Sequence, residues 1–210
     1  VEAALDAVRG QIRDLGQAAR EGGYEMLVFG DYAIGECRRG AVFPNRQLAA
    51  AGLLAGRDVR GMRYLDPYRS RALAVADHEI AHVYCRDRTA VTAARRVFER
   101  MEGVGRVLDR PAQSVEGIDH ARAGDLVLVA AEGYWFAYPW WGEDQRAPDY
   151  ATHVDIHNKP GFDPCELFRG WWPWAVSMRT ERIRGSHGRA GKGRETAVAC
   201  TAPELVADSL

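Results

Sequence analysis

The sequence predicts an α/β fold on three observations. Val1, Leu5, Val8, Ile12 and Leu15 fall on one helix face, and Gly22-Gly23 end that helix. Directly afterwards, Tyr24-Glu25-Met26-Leu27-Val28-Phe29 is a short apolar run ending in Gly30-Asp31. That is the pattern of a buried strand with a carboxylate at its C-terminal end. Further along, Leu126 to Ala130 is near-continuously apolar, as expected of a strand buried on both faces. In open α/β sheets ligands gather beyond the carboxyl ends of strands, so Asp31 is the first candidate functional residue.

The remaining elements follow in order. Arg46 to Ala55 reads as a short helix and Met62 to Asp66 as a short strand. Ala72 to Tyr84 reads as a strand with a break near Asp77-His78. Val91, Ala94, Val97, Phe98 and Met101 share a face, which makes Thr89 to Met101 a helix. Gly105 to Leu108 resembles an edge strand before Pro111, and Tyr134 to Tyr138 returns across Glu132-Gly133 as the second arm of a hairpin. Residues 139–174 form a Trp/Pro-rich loop region carrying Trp140, Trp141, Trp171, Trp172 and Trp174. Loops of that length in a compact domain usually serve function or are disordered, and the tryptophans argue against disorder. Residues 184–195 are a Gly/Arg-rich loop, and Thr196 to Thr201 a last short strand.

Composition narrows the function classes. The 210 residues are 47% hydrophobic, enough for a real core in one α/β domain (1–210). The 28 basic residues against 29 acidic ones leave a formal net charge of -1, which excludes a polybasic nucleic-acid binder and an acidic disordered tail. No partner in duplex nucleic acid or membrane is expected, since no stretch approaches the ~20 apolar residues of a bilayer span. Cys37, Cys85, Cys165 and Cys200 are scattered without CxxC spacing and read as reduced cytoplasmic thiols. The chain opens at Val1 inside a helical pattern, so a piece of a longer protein is expected.

Two histidine pairs, each with an aspartate, carry the metal-binding potential: Asp77-His78 with His82, and His153-Val154-Asp155-Ile156-His157. Imidazole and carboxylate together suit zinc, manganese and iron. Strand alternation puts His153, Asp155 and His157 on one face, and His78 and His82 share a face whether extended or helical. A structural reading of Asp77, His78 and His82 stands equally beside the functional one. His120 reads as a hydrogen-bonded structural residue and the tryptophans as packing. Arg184-Gly185-Ser186-His187-Gly188-Arg189 is a third candidate, because glycines admit close approach of an anion and arginines grip phosphate through a planar fork.

Asp155-Ile156-His157-Asn158-Lys159-Pro160-Gly161-Phe162-Asp163-Pro164 resembles a segment of the alkaline phosphatase superfamily, in particular bacterial relatives of nucleotide pyrophosphatase/phosphodiesterase. Those proteins carry a late His-Gly-Tyr-Asp segment whose histidine binds a metal. Here His157 takes that place, with Asn158-Lys159-Pro160 inserted before Gly161. Phe29-Gly30-Asp31-Tyr32-Ala33-Ile34 is similar to the family's Ser-Asp-His-Gly-Met strand end, and Gly124 to Trp135 to its late strand and turn. Tyr32 stands where the family has a metal-binding histidine, and the family's threonine or serine nucleophile belongs to an N-terminal half that does not precede Val1.

The resemblance implies an alkaline-phosphatase-like mixed sheet flanked by helices, of which this chain supplies the C-terminal half. It further implies a two-metal phosphoric ester hydrolase of phosphodiesterase or nucleotide pyrophosphatase type. The divalent metal would be zinc, with manganese the alternative. Asp31, Asp77, His78, Asp155 and His157 are the candidate ligands. Lys159, Arg184 and His187 are the candidates for holding the phosphate of a small phosphate-ester substrate, and the nucleophile is not in this chain. A partner chain or the N-terminal half would complete such a site. The rival expectation is a non-catalytic binding or scaffold protein with a degenerate metal site.

Overall fold

Every residue from Leu126 to Ala130 is buried, and this run becomes an inner strand of a four-stranded sheet. The computed structural model describes residues 2–152, 168–169, 176–177, 180–191 and 194–202. In chain order these form helix α1 (Glu2–Gly22) and strands β1 (Leu27–Phe29), β2 (Gly35–Glu36) and β3 (Gly40–Val42). Helix α2 (Pro44–Ala50) leads to β4 (Gly56–Val59), β5 (Met62–Leu65), β6 (Ala72–Asp77) and β7 (Ile80–Cys85). Next come α3 (Arg88–Phe98), β8 (Val104–Leu108), α4 (Arg110–Val115), β9 (Leu126–Ala130) and β10 (Tyr134–Phe136). The short strands β11 (Phe168–Arg169), β12 (Val176–Ser177), β13 (Gly185–Ser186) and β14 (Val198–Cys200) follow. The chain divides into two compact units, Val1–Ala33 with Lys192–Leu210, and Ile34–Gly191.

In the first unit, β1 pairs antiparallel with β14, Val28 opposite Ala199. Thr201 closes the ladder: its amide donates to Met26 O at 3.0 Å, and its hydroxyl accepts from Met26 N at 2.8 Å. The helix predicted from Leu5, Val8, Ile12 and Leu15 is present, but all four side chains are exposed. The strand expected to be buried is also different. Leu27 and Phe29 are exposed, because β1 has a single strand partner and no covering layer over them among the described residues.

The second unit is built on the sheet β6-β7-β9-β8, antiparallel throughout. Ala72, Ala74, Ala76, Ala81, Val83, Leu126 and Leu128 face the main core, where Leu48 of α2 and Ala94 and Phe98 of α3 pack against them. The small alanines let the helices come close. The opposite face, with Val127 and Val129, meets Leu108 and Ala112. Layers on both faces explain the unbroken apolar run of β9, and each buried Leu or Val there contributes roughly 1.5–3 kcal/mol. Helix α3 starts where Asp87 accepts the Ala90 amide at 2.8 Å, an N-cap.

Strand β8 lies at the sheet edge, as its sequence predicts, with an irregularity between Val104 and Arg106. The hairpin expected between β9 and β10 does not form. Gly133, at φ +82°, turns the chain out of the sheet. Strand β10 then pairs in parallel with β3, Trp135 opposite Ala41. The described architecture is therefore α/β with both strand orientations, the parallel pair separate from the antiparallel sheet. Trp140 and Trp141 are buried and meet edge to face, centroids 4.9 Å apart, which bears out packing for these two. Trp171, Trp172 and Trp174 lie outside the described residues.

Candidate functional site

Asp77 pairs with Ile80 across the β6–β7 hairpin, leaving His78 and Glu79 as its two turn residues. The predicted break thus falls where the sequence placed it. His78 takes φ +58°, a left-handed conformation disfavoured for a residue with a Cβ. Such strain is about 1–3 kcal/mol and persists only where the surroundings hold it. Here they do. The His78 carbonyl accepts the Phe136 amide at 2.6 Å, and His78 Nδ1 donates to Asp77 Oδ1 at 2.8 Å. That hydrogen bond is the main reason the Asp77 carboxyl titrates below its usual range, burial working against it.

The Gly/Arg-rich loop docks onto this turn. Gly185 and Ser186 form an antiparallel pair with β2, and the Arg184 carbonyl accepts the Cys37 amide at 2.9 Å. The His187 carbonyl accepts the Glu79 amide at 2.8 Å, and its ring stacks on His78 with centroids 3.9 Å apart. Gly188, at φ +111°, permits this approach: a side-chain carbon there would come within 3.3 Å of Ile80 Cγ1. Glu79, 1% exposed, secures the loop from below. Its carboxylate accepts the Arg189 amide at 3.1 Å and the Cys37 thiol at 3.8 Å.

Three of the candidate residues, Asp77, His78 and His187, therefore meet in one cluster. Arg184 begins the same loop and lines a pocket of about 410 Å³ with the ion pair of Glu36 and Arg38. Asp31 is exposed after β1, in the first unit. Asp155, His157 and Lys159 lie outside the described residues, as does His153. His82 does not join His78. The turn intervenes, and His82 Nδ1 accepts the Gly124 amide at 3.1 Å, with burial lowering the imidazole's proton affinity. His120 is structural as predicted, its Nδ1 accepting the Arg122 amide at 3.1 Å.

Among the described residues no three His, Cys, Asp or Glu side chains converge on a point that would hold a metal ion. His78 and His187 present ring faces to one another, and Asp77 is engaged with His78, so the described cluster alone does not fit a metal centre. Glu79 and Cys37 are the residues that sequence reasoning missed. A glutamate between a histidine and an isoleucine carries no local sign that it will be buried.

Two crystal structures of phosphonoacetate hydrolase from Sinorhizobium meliloti 1021 are similar to this chain. The complex with phosphonoformate is 20% identical, with TM-score 0.37 over 62% of this chain and 32% of that chain. The complex with phosphonoacetate is also 20% identical, with TM-score 0.36 over 57% and 30%. The chain spans about a third of the length of those structures. No curated protein matches it. Among the described residues no helix is long and apolar enough to cross a membrane. The family of type I phosphodiesterase / nucleotide pyrophosphatase matches residues 1–163, most of the sequence, and the chain belongs to that family.

Proposed function

We propose that this chain forms part of a phosphoric ester hydrolase of phosphodiesterase or nucleotide pyrophosphatase type. The family match over residues 1–163 carries the reading. The cluster at the β6–β7 turn supports it chemically. A carboxylate hydrogen-bonded to Nδ1 fixes the tautomer and orientation of an imidazole, the arrangement used to bind or move a proton at the other nitrogen. In this reading Asp77 positions His78, while Lys159, Arg184 and His187 hold the phosphate.

The family is generally metal-dependent. A two-metal centre on Asp31, Asp77, His78, Asp155 and His157, loaded with zinc or manganese, is the finer form of the proposal. Metal analysis and cleavage of bis(p-nitrophenyl) phosphate, with and without zinc or manganese, by the chain together with the N-terminal half expected to carry the nucleophile test both parts. Metal-dependent turnover that falls roughly 10–100-fold in Asp77→Asn is the expected result. Turnover unchanged in both Asp77→Asn and His157→Ala would overturn the site.

A second reading has Tyr32 in its favour, at the place where the resemblance expects a metal-binding histidine. It is a non-catalytic binding or scaffold protein that kept the fold. Absence of both metal uptake and turnover in the presence of that N-terminal half, with the chain folded, would favour it over the first.

A further inference from the structure

We propose that the groove between α2, the C-terminal end of α3 and the β3–β10 pair binds a small anion carrying two or more phosphate or carboxylate groups. This groove encloses about 910 Å³, within the usual range for small-molecule sites. Arg39, Arg46, Arg96 and Arg100 line it, against the single carboxylate of Glu102. Glu102 accepts the Tyr134 hydroxyl at 2.7 Å. So concentrated a positive field contrasts with a chain whose formal net charge is -1.

Elsewhere Arg9, Arg38, Arg57, Arg63, Arg71, Arg95, Arg106 and Arg146 each have a carboxylate partner. Among the described residues the four groove arginines form no ion pair. Other arginines, Arg13, Arg60 and Arg88 among them, also lack an ion pair among the described residues, but only this groove gathers four such arginines among the pockets described. Arg46 Nε is also buried with no hydrogen-bond partner there, and an unmade bond of a charged group is expensive. Burial lowers the proton affinity of Arg46, and Asp144 raises it only secondarily. An incoming oxyanion would pair with the exposed side chains of Arg39, Arg96 and Arg100, since the guanidinium fork matches phosphate or carboxylate geometry.

Two of the arginines are held in advance. The Arg46 guanidinium carbon lies 3.9 Å from the Phe43 ring centroid, and that of Arg39 lies 5.7 Å from Tyr134. Cation–π contact restrains both planes, so less side-chain freedom is lost on binding. Val42, Val97 and Met101 provide an apolar lining that strengthens the charged contacts above it. Several separated guanidiniums favour a multivalent anion over a single phosphate or acetate. None of these residues belongs to the proposed hydrolytic site, so either proposal can fail without the other.

Calorimetric titration of the full chain with pyrophosphate and with citrate, alongside orthophosphate and acetate, tests the proposal. Pyrophosphate or citrate should bind at one site, more tightly than the counterpart with a single phosphate or carboxylate group and less tightly as salt rises. Arg96→Ala/Arg100→Ala, whose side chains are exposed and hold no other element, should weaken binding roughly tenfold or more. Arg39→Gln provides a second variant on a different element, and the melting temperature of each establishes that it is folded. Binding of pyrophosphate alone identifies a phosphate ligand, and of citrate alone a carboxylate. No saturable binding, or equal affinity in the folded variants, overturns the proposal.

Discussion

The imidazoles of His78 and His187 stack with ring centroids 3.9 Å apart and planes 30° from parallel, joining a hairpin turn to a loop from the far end of its unit. Beneath that stack, Glu79 accepts the Arg189 amide and makes the junction a buried polar one. Glu79→Ala should cost about 1–3 kcal/mol, the penalty of leaving a buried donor unpaired. Glu79→Gln, which keeps an acceptor oxygen, should cost less. Urea denaturation measures both, and amide exchange at Arg189 should quicken in the alanine variant. Equal stability of all three proteins would refute the role.

Acid should weaken the fold through His82. Burial holds this imidazole neutral, Arg110 adding to that effect and Asp77 opposing it, and Nδ1 must stay unprotonated to accept the Gly124 amide. The unfolded chain takes up a proton near its ordinary pKa of about 6.5. Stability is therefore full above that pH and falls as the pH drops through it, because the unfolded state then binds more protons. The melting temperature should drop between about pH 7.5 and 5.5, and His82→Gln should flatten that dependence. An unchanged slope in the variant would count against it.

Asn45 ties α2 to the free edge of β6. Its side-chain amide donates to Ala74 O at 2.8 Å, and its carbonyl accepts Ala74 N at 2.9 Å, standing in for a neighbouring strand. With the residue only 1% exposed, Asn45→Ala strands both backbone groups and should cost roughly 2–6 kcal/mol, since each unpaired group carries about 1–3. Chemical denaturation of Asn45→Ala against the parent protein reads this directly. A loss under about half a kilocalorie would mean that water replaces the amide.

Cys85 should be chemically quiet. Burial, with Asp125 and then Asp87 contributing, pushes its thiol up to about 11. The thiolate is the reactive form, so at neutral pH alkylation should run on the order of a hundredfold slower than for a free thiol. Iodoacetamide labelling followed by peptide mass mapping, native against urea-unfolded, measures the ratio. Equal rates in the two states would contradict the raised thiol and its half-buried setting.

The elements were legible because their signals are local. The spacing of Val91, Ala94 and Phe98 and the turn chemistry at Asp77-His78 operate within a few residues, and both appear where predicted. The Tyr134–Phe136 partner was not legible, since a glycine turn such as Glu132-Gly133 serves equally for folding back on β9 and for leaving to meet β3. The shared face expected for His78 and His82 failed for a similar reason. The left-handed turn residue belongs to neither strand, while the register of β7 delivers His82 to Gly124.

Sequence alone determined the alternation of helices and strands, the two-sided burial of Leu126 to Ala130 and membership of the type I phosphodiesterase / nucleotide pyrophosphatase family. These rest on short-range periodicity and on residue identity, which need no coordinates. Only the tertiary structure decided that Asp77, His78 and His187 meet, that Glu79 is buried beneath them and that four arginines share a groove without ion-pair partners among the described residues. Such meetings depend on chain segments far apart in sequence, whose approach is set by sheet register, by glycines at positive φ and by which carboxylates are already engaged elsewhere.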